Sequence, residues 1–174
     1  MRYFEIYIDN RNPLPRCLNW GSLIKPGYRR AQQVYPVLRK NNYLDVELNA
    51  ECEFMDILCN PCFMVSKEFA DLIRLFSPNM KFKNIYLFDS VNQRTAVYLV
   101  PDLPEIDCLH EDSELSRNKS EIINGILLGE KIQNLSIFRL GTIETDYIIA
   151  NLEFVESAYR REIKGMKIKE FRVL

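Results

Sequence analysis

The sequence predicts an α+β fold: a single domain whose mostly antiparallel, curved sheet carries two packed helices. Three observations predict it. Short β-rich stretches recur along the chain, and most connections are too short for the crossovers that parallel pairs need. Two segments carry helix-start signatures. A strand–cap–helix–strand unit also occurs twice, offset by 85–86 residues.

Taken in order, "RYFEIYI" (2–8) alternates and predicts a strand. Residues 11–40 hold four prolines, two glycines and only basic charges, which predicts an irregular, wrapped segment with a short helix near Arg29–Val34. "YLDVELN" (43–49) and "EFMDILC" (53–59) read as a pair of strands. Ser66 is a suitable N-cap because its hydroxyl can accept a bond from a first-turn N–H. Phe69, Leu72, Ile73 and Phe76 then follow at helical spacing, and Ser77-Pro78-Asn79 ends the run. "MKFKNIYLF" (80–88) and "RTAVYLV" (94–100) pair as strands, and "EIDCL" (105–109) is a short one. Residues 111–125 read as a polar loop. "GILLG" (125–129), "LSIFRL" (135–140) and "DYIIA" (146–150) are strands. Asn151 caps a helix reaching Ile163, Gly165 stops it, and "MKIKEFRVL" (166–174) is the last strand.

The repeat lies in "MVSKEFADLI" at 64 and "IANLEFVESA" at 149. Each has a strand end, a capping Ser66 or Asn151, and a Glu-Phe pair (Glu68-Phe69, Glu153-Phe154). The strands "MKFKNIYL" and "MKIKEFRV" follow in the same order.

Composition narrows the function classes. The 174 residues are 47% hydrophobic and 27% charged with net charge −1, an ordinary globular balance that does not mark a polyanion binder. No apolar run approaches the ~18 residues of a membrane span. Glu5 and Asp9 interrupt the first apolar stretch, which argues against a targeting peptide and for a cytoplasmic protein. Five cysteines, an odd number in a reducing compartment, argue against a disulfide framework.

Three stretches could carry chemistry. Cys59-Asn-Pro-Cys62 has thiolate-pair spacing, but a structural zinc site needs four ligands and no second pair exists. The cap at Ser66 also stands four residues beyond Cys62, away from a redox-motif position. Reduced, buried thiols are the simpler expectation. "PDLPEIDCLHEDSE" (101–114) holds Asp102, Glu105, Asp107, Glu111, Asp112 and Glu114 with no Lys or Arg. It reads as a solvated acidic edge, a docking surface for a basic partner, or a cation or acid–base site around His110. Within 11–40, Arg16, Lys25, Arg29 and Arg30 lie among Trp20, Tyr28 and Tyr35, a mix that can hold single-stranded nucleic acid. With only six glycines there is no phosphate-binding loop, and one histidine leaves hydrolase chemistry without its usual parts. Neither catalysis, a cofactor nor a metal is expected.

From residue 64 onward the order of motifs resembles the bacterial polymorphic-toxin immunity-protein family numbered eleven, earlier catalogued as a domain of unknown function. The features are Val65-Ser66 at a strand-to-helix junction, Tyr98-Leu99, Ile106-Asp107, an acid-rich turn at Asp112-Ser113, Phe138-Arg139, and a second capped helix. Asn151 stands where that family has a capping serine. The likeness covers residues 64–174, and residues 1–60 are divergent. It implies a cytoplasmic immunity protein that binds and neutralises a cognate toxin domain, and it supplies no catalytic residues. The expected docking edge is Asp102–Glu114, centred on Glu111, Asp112 and Glu114. The alternatives are a nucleic-acid-binding accessory protein using 11–40, or an enzyme. Identity of the toxin and oligomeric state stay open.

Overall fold

A computed structural model describes residues 1–9, 11, 13–23, 31–49, 51–117, 121–141 and 146–174. In chain order the strands and helices are β1 (Tyr3–Ile8), β2 (Arg16–Cys17), α1 (Trp20–Leu23), α2 (Ala31–Val37), β3 (Asn41–Glu47), β4 (Ile57–Leu58), β5 (Met64–Val65), α3 (Lys67–Phe76), β6 (Phe82–Asp89), β7 (Arg94–Pro101), β8 (Glu105–Ile106), β9 (Glu114–Leu115), β10 (Ile122–Asn124), β11 (Ile126–Leu127), β12 (Ile137–Leu140), β13 (Ile148–Asn151), α4 (Leu152–Arg160) and β14 (Met166–Val173). A short 3-10 turn covers Gly129–Lys131. The class is α+β and most strand pairs are antiparallel. The β3–β6, β11–β14 and β8–β12 pairs are parallel.

The chain forms two compact units. One comprises 1–7, 103–162 and 167–174, and the other 8–102 and 163–166. The first holds the sheet β11-β14-β1-β13-β12-β8, and the second holds β2-β3-β6-β7-β5-β4.

The two sheets share a plan. In each, a strand leads through a side-chain cap into a helix. Ser66 Oγ accepts the Phe69 N–H at 3.2 Å, and Asn151 Oδ1 accepts the Phe154 N–H at 2.9 Å. Each cap satisfies one of the otherwise orphaned first-turn donors. The strand after the helix returns two places away, with one antiparallel strand between. That middle strand is β7 in one unit and β1, the chain's own beginning, in the other. A parallel strand flanks the return strand in both, β3 beside β6 and β11 beside β14. The repeat seen in sequence therefore extends to five strands of each sheet, with β1 completing the second copy.

Registers align the copies residue by residue. Val65 pairs with Leu99, and Ala150 pairs with Phe4. Val65 and Ala150 both immediately precede the cap, so Tyr98 corresponds to Tyr3 and Val100 to Glu5. Both tyrosines are buried, and both donate a phenolic hydrogen bond to a main-chain carbonyl. Tyr98 reaches Met55 O at 2.6 Å, and Tyr3 reaches Ile132 O at 2.5 Å.

Two expected elements differ. Of 53–59 only Ile57–Leu58 is strand, and it pairs with β5, not with β3. Side chains capture the preceding backbone instead: Arg94 donates to Cys52 O at 2.9 Å and Tyr98 to Met55 O, so those carbonyls are satisfied outside a ladder. Residues 111–125 are not simply a loop: β9 and β10 pair antiparallel. Ile122 and Leu115 turn inward there onto a core of Tyr3, Cys108, Leu127, Phe138, Ile149 and Phe171. In the 11–40 segment, β2, α1 and α2 are short pieces. Lys25, Tyr28, Arg29 and Arg30 lie outside the described residues. The second helix ends earlier than expected: α4 stops at Arg160 with Arg161 as its C-cap and Glu162 at φ 55, while Gly165 lies further on at φ +80, where a Cβ would fall 2.8 Å from the Met55 side chain. Among the described residues, no helix is long and apolar enough to cross a membrane.

Candidate functional site

Glu111 and Asp112 form a tight turn, Glu114 opens β9 just after it, and all three are exposed. The turn is held from below. Ser113 Oγ donates to Ile126 O at 3.2 Å and accepts the Ile126 N–H at 3.0 Å. The His110 N–H donates to Ile126 O at 2.8 Å, and the Ser113 N–H to His110 O at 3.1 Å. The Asp112 N–H points at His110 Nδ1 at 3.2 Å. Asp112 Oδ2 lies 3.6 Å from the same nitrogen. His110 thereby braces the turn. The result is three carboxylates presented to solvent on a braced turn.

The other sequence candidates do not converge. Cys59 is exposed while Cys62 and Cys52 are buried, and the five cysteines form no disulfide. Burial pushes the Cys17 and Cys108 thiols up to about 11, and pushes Cys52 upward as well, so these three are protonated at neutral pH and are poor nucleophiles or ligands. Among the described residues, no group of three His, Cys, Asp or Glu side chains is placed to hold a metal ion. In the basic segment, Arg11 pairs with Asp9 at 2.7 Å and Arg16 with Glu47 at 3.3 Å. Tyr35 lies under Lys83, whose Nζ is 4.4 Å from the ring centroid. These contacts lie within their own unit.

Phe138-Arg139 lies on β12. The Arg139 side chain is 4% exposed, and its Nε is 3.1 Å from Asp146 Oδ1, close enough for ionic attraction but out of line for a hydrogen bond. This arginine is part of the core.

One surface escaped sequence reading. Tyr43, Tyr86 and Val97 are neighbours across β3, β6 and β7, with Asp45, Phe88 and Thr95 in the adjacent row. Tyr43 is 58% exposed, Val97 49% and Phe88 39%. Tyr43 stacks on Tyr86 at 5.2 Å between centroids and on Phe88 at 6.1 Å. The signal was present in "IYLF" (85–88), where apolar residues fill both faces of a strand whose other face alone is needed for the core.

Compared with models of protein families and with curated protein sequences, the chain matches none.

Proposed function

We propose that this chain is a non-catalytic, stoichiometric inhibitor: a cytoplasmic immunity protein of the family named above, which binds and neutralises a bacterial toxin domain. The observation that carries the reading is the acidic turn. Glu111, Asp112 and Glu114 are exposed together on a backbone braced by Ser113 and His110. Preformed negative charge speeds encounter with a basic surface and disfavours wrong partners. Many toxins that act on nucleic acid present such a surface. The ordered motifs that carry the resemblance support the same reading: Val65-Ser66 forms the strand-to-cap junction, Tyr98-Leu99 sits in the middle strand, and Asp112-Ser113 forms the turn.

The test is co-expression with the toxin-like gene adjacent to the coding sequence. Protection of the host, and recovery of a one-to-one complex, is the expected result. Killing that the chain does not relieve, by any neighbouring candidate, would remove the reading. Within a complex, the triple reversal E111K/D112K/E114K should slow association at least tenfold at low salt. Thermal stability should barely change, since exposed charges contribute little to folding. Association at the wild-type rate would move the interface elsewhere.

A further inference from the structure

We propose that the open face of β3, β6 and β7 is a second docking surface, built for the arginine side chains of a basic protein partner. The inference rests on the inhibitor reading and names the chemistry by which such a partner would be gripped.

The face is apolar where the fold does not require it. Val97 stands opposite Tyr86. By the register that equates Tyr98 with Tyr3, Val97 corresponds to Arg2. In that unit Arg2 reaches Glu170 of the return strand β14 in a two-pronged ion pair of 2.6 and 2.8 Å. The same sheet plan thus tolerates a solvated ion pair at this position. The other unit carries instead an exposed valine beside two stacked tyrosines and a phenylalanine, which leaves apolar area in water at a cost.

Charge narrows the occupant. In register beside Phe88 lies Asp45, exposed on β3, whose Oδ2 accepts the Asn19 side-chain N–H at 2.9 Å. Glu47 follows two residues on along the same face, already shared with Arg16. The remaining neighbours, Asn41, Asn84 and Thr95, are uncharged. Ring faces are electron-rich and attract cations, and carboxylates do the same. A guanidinium suits both best, because its plane stacks on a ring while its edge donates to a carboxylate in a fixed fork that a lysine ammonium lacks. Phosphates of a nucleic acid would meet Asp45 and Glu47 unfavourably, so stacked bases do not suit this face despite its aromatics. A second copy would bring its own Asp45 and Glu47 toward ours.

The test needs no toxin, so it fails or succeeds separately from the co-expression assay. The full chain is titrated with an oligo-arginine peptide, an oligo-lysine peptide of equal length, and oligothymidylate. Ring and amide resonances are followed by NMR. Oligo-arginine should shift the Tyr43, Tyr86 and Phe88 rings and bind more tightly than oligo-lysine. Y43A should weaken it about fivefold, and Y43F should restore it. D45N, which preserves the side chain's shape, should also weaken it. The E111K/D112K/E114K variant should leave the ring shifts intact. The proposal is overturned if oligo-arginine shifts only the acidic turn, if oligothymidylate takes the rings instead, or if the rings shift with protein concentration alone because a second copy covers them.

Discussion

Where one unit carries Arg2, held by Glu170, the other carries Val97 beside Tyr86. Where one middle strand buries Val100, the other carries Glu5. Yet Tyr3 and Tyr98 occupy matching positions and make the same kind of bond. Comparing the two copies separates what the plan demands from what it leaves free. A capped helix, a middle strand antiparallel to the strand before that helix, and a tyrosine tethered to main chain recur in both. The composition of the solvent side does not. The aromatic patch is therefore a property of one unit, added to a frame that stands without it, and this makes it a better candidate for binding than an exposed hydrophobe taken alone.

The comparison can be broken hardest at the helices. Phe69 and Phe154 hold the same place after their caps, and both are fully buried. Replacing either with alanine should cost about 3–5 kcal/mol, the usual range for a core phenylalanine. Urea unfolding of the two variants measures this. If one costs less than half the other, the helices anchor their sheets differently and the equivalence is topological only.

Much of this frame was legible before the structure. Both caps, both amphipathic helices and most long strands follow from local rules that need only neighbouring residues. The acidic turn was legible as a run of like charge, and its exposure followed. Less was legible where distant groups decide. Residues 53–59 read as strand, but Tyr98 bonds the Met55 carbonyl and Arg94 the adjacent Cys52 carbonyl from some forty residues away. Leu115 and Ile122 looked like parts of a polar loop because their core is assembled from β1, β12, β13 and β14. The division into two sheets was hidden for the same reason. The strand that completes the second copy is the first in the chain, and no periodicity near residue 150 announces it. The aromatic patch needed cross-strand register, which places Tyr43 beside Tyr86 across forty-three residues.

A finer test uses the paired tyrosines. Y98F and Y3F each remove a single hydroxyl from a buried tether, and each should cost about 1 kcal/mol. Burial raises both phenols above the ordinary tyrosine value of 10.0. A raised folded value means stability present below that pH and lost as pH climbs past it, because the folded state disfavours the phenolate. Wild type should therefore lose stability above pH 10 faster than the double variant Y3F/Y98F, as followed by thermal melts in alkaline buffer. Parallel pH curves would mean that neither hydroxyl stays protonated for the sake of its tether. An effect from Y98F alone would mean that the tyrosine tether is not a shared device.

The smallest expected effect lies at Glu5, where the copies differ by a charge. Its counterpart Val100 is fully buried. Desolvation raises the Glu5 carboxyl above its ordinary value of 4.5, and the positive charge of Lys169 opposes that rise only in part. The folded state thus holds the Glu5 proton more tightly than the unfolded chain does. That preference stabilises the fold below pH 4.5 and is lost as pH climbs through the raised folded value, so at pH 7 the charged side chain is a net burden. E5Q, which keeps the shape and removes the charge, should unfold at slightly higher urea concentration than wild type at pH 7. The advantage should shrink toward zero as the pH is lowered below 4.5. E5V should gain more at pH 7, since it restores what the other copy has at this position. A loss of stability in E5Q at pH 7 would show that the attraction of Lys169 outweighs burial. The two middle strands would then be balanced by different means, one by packing and the other by a pair of charges.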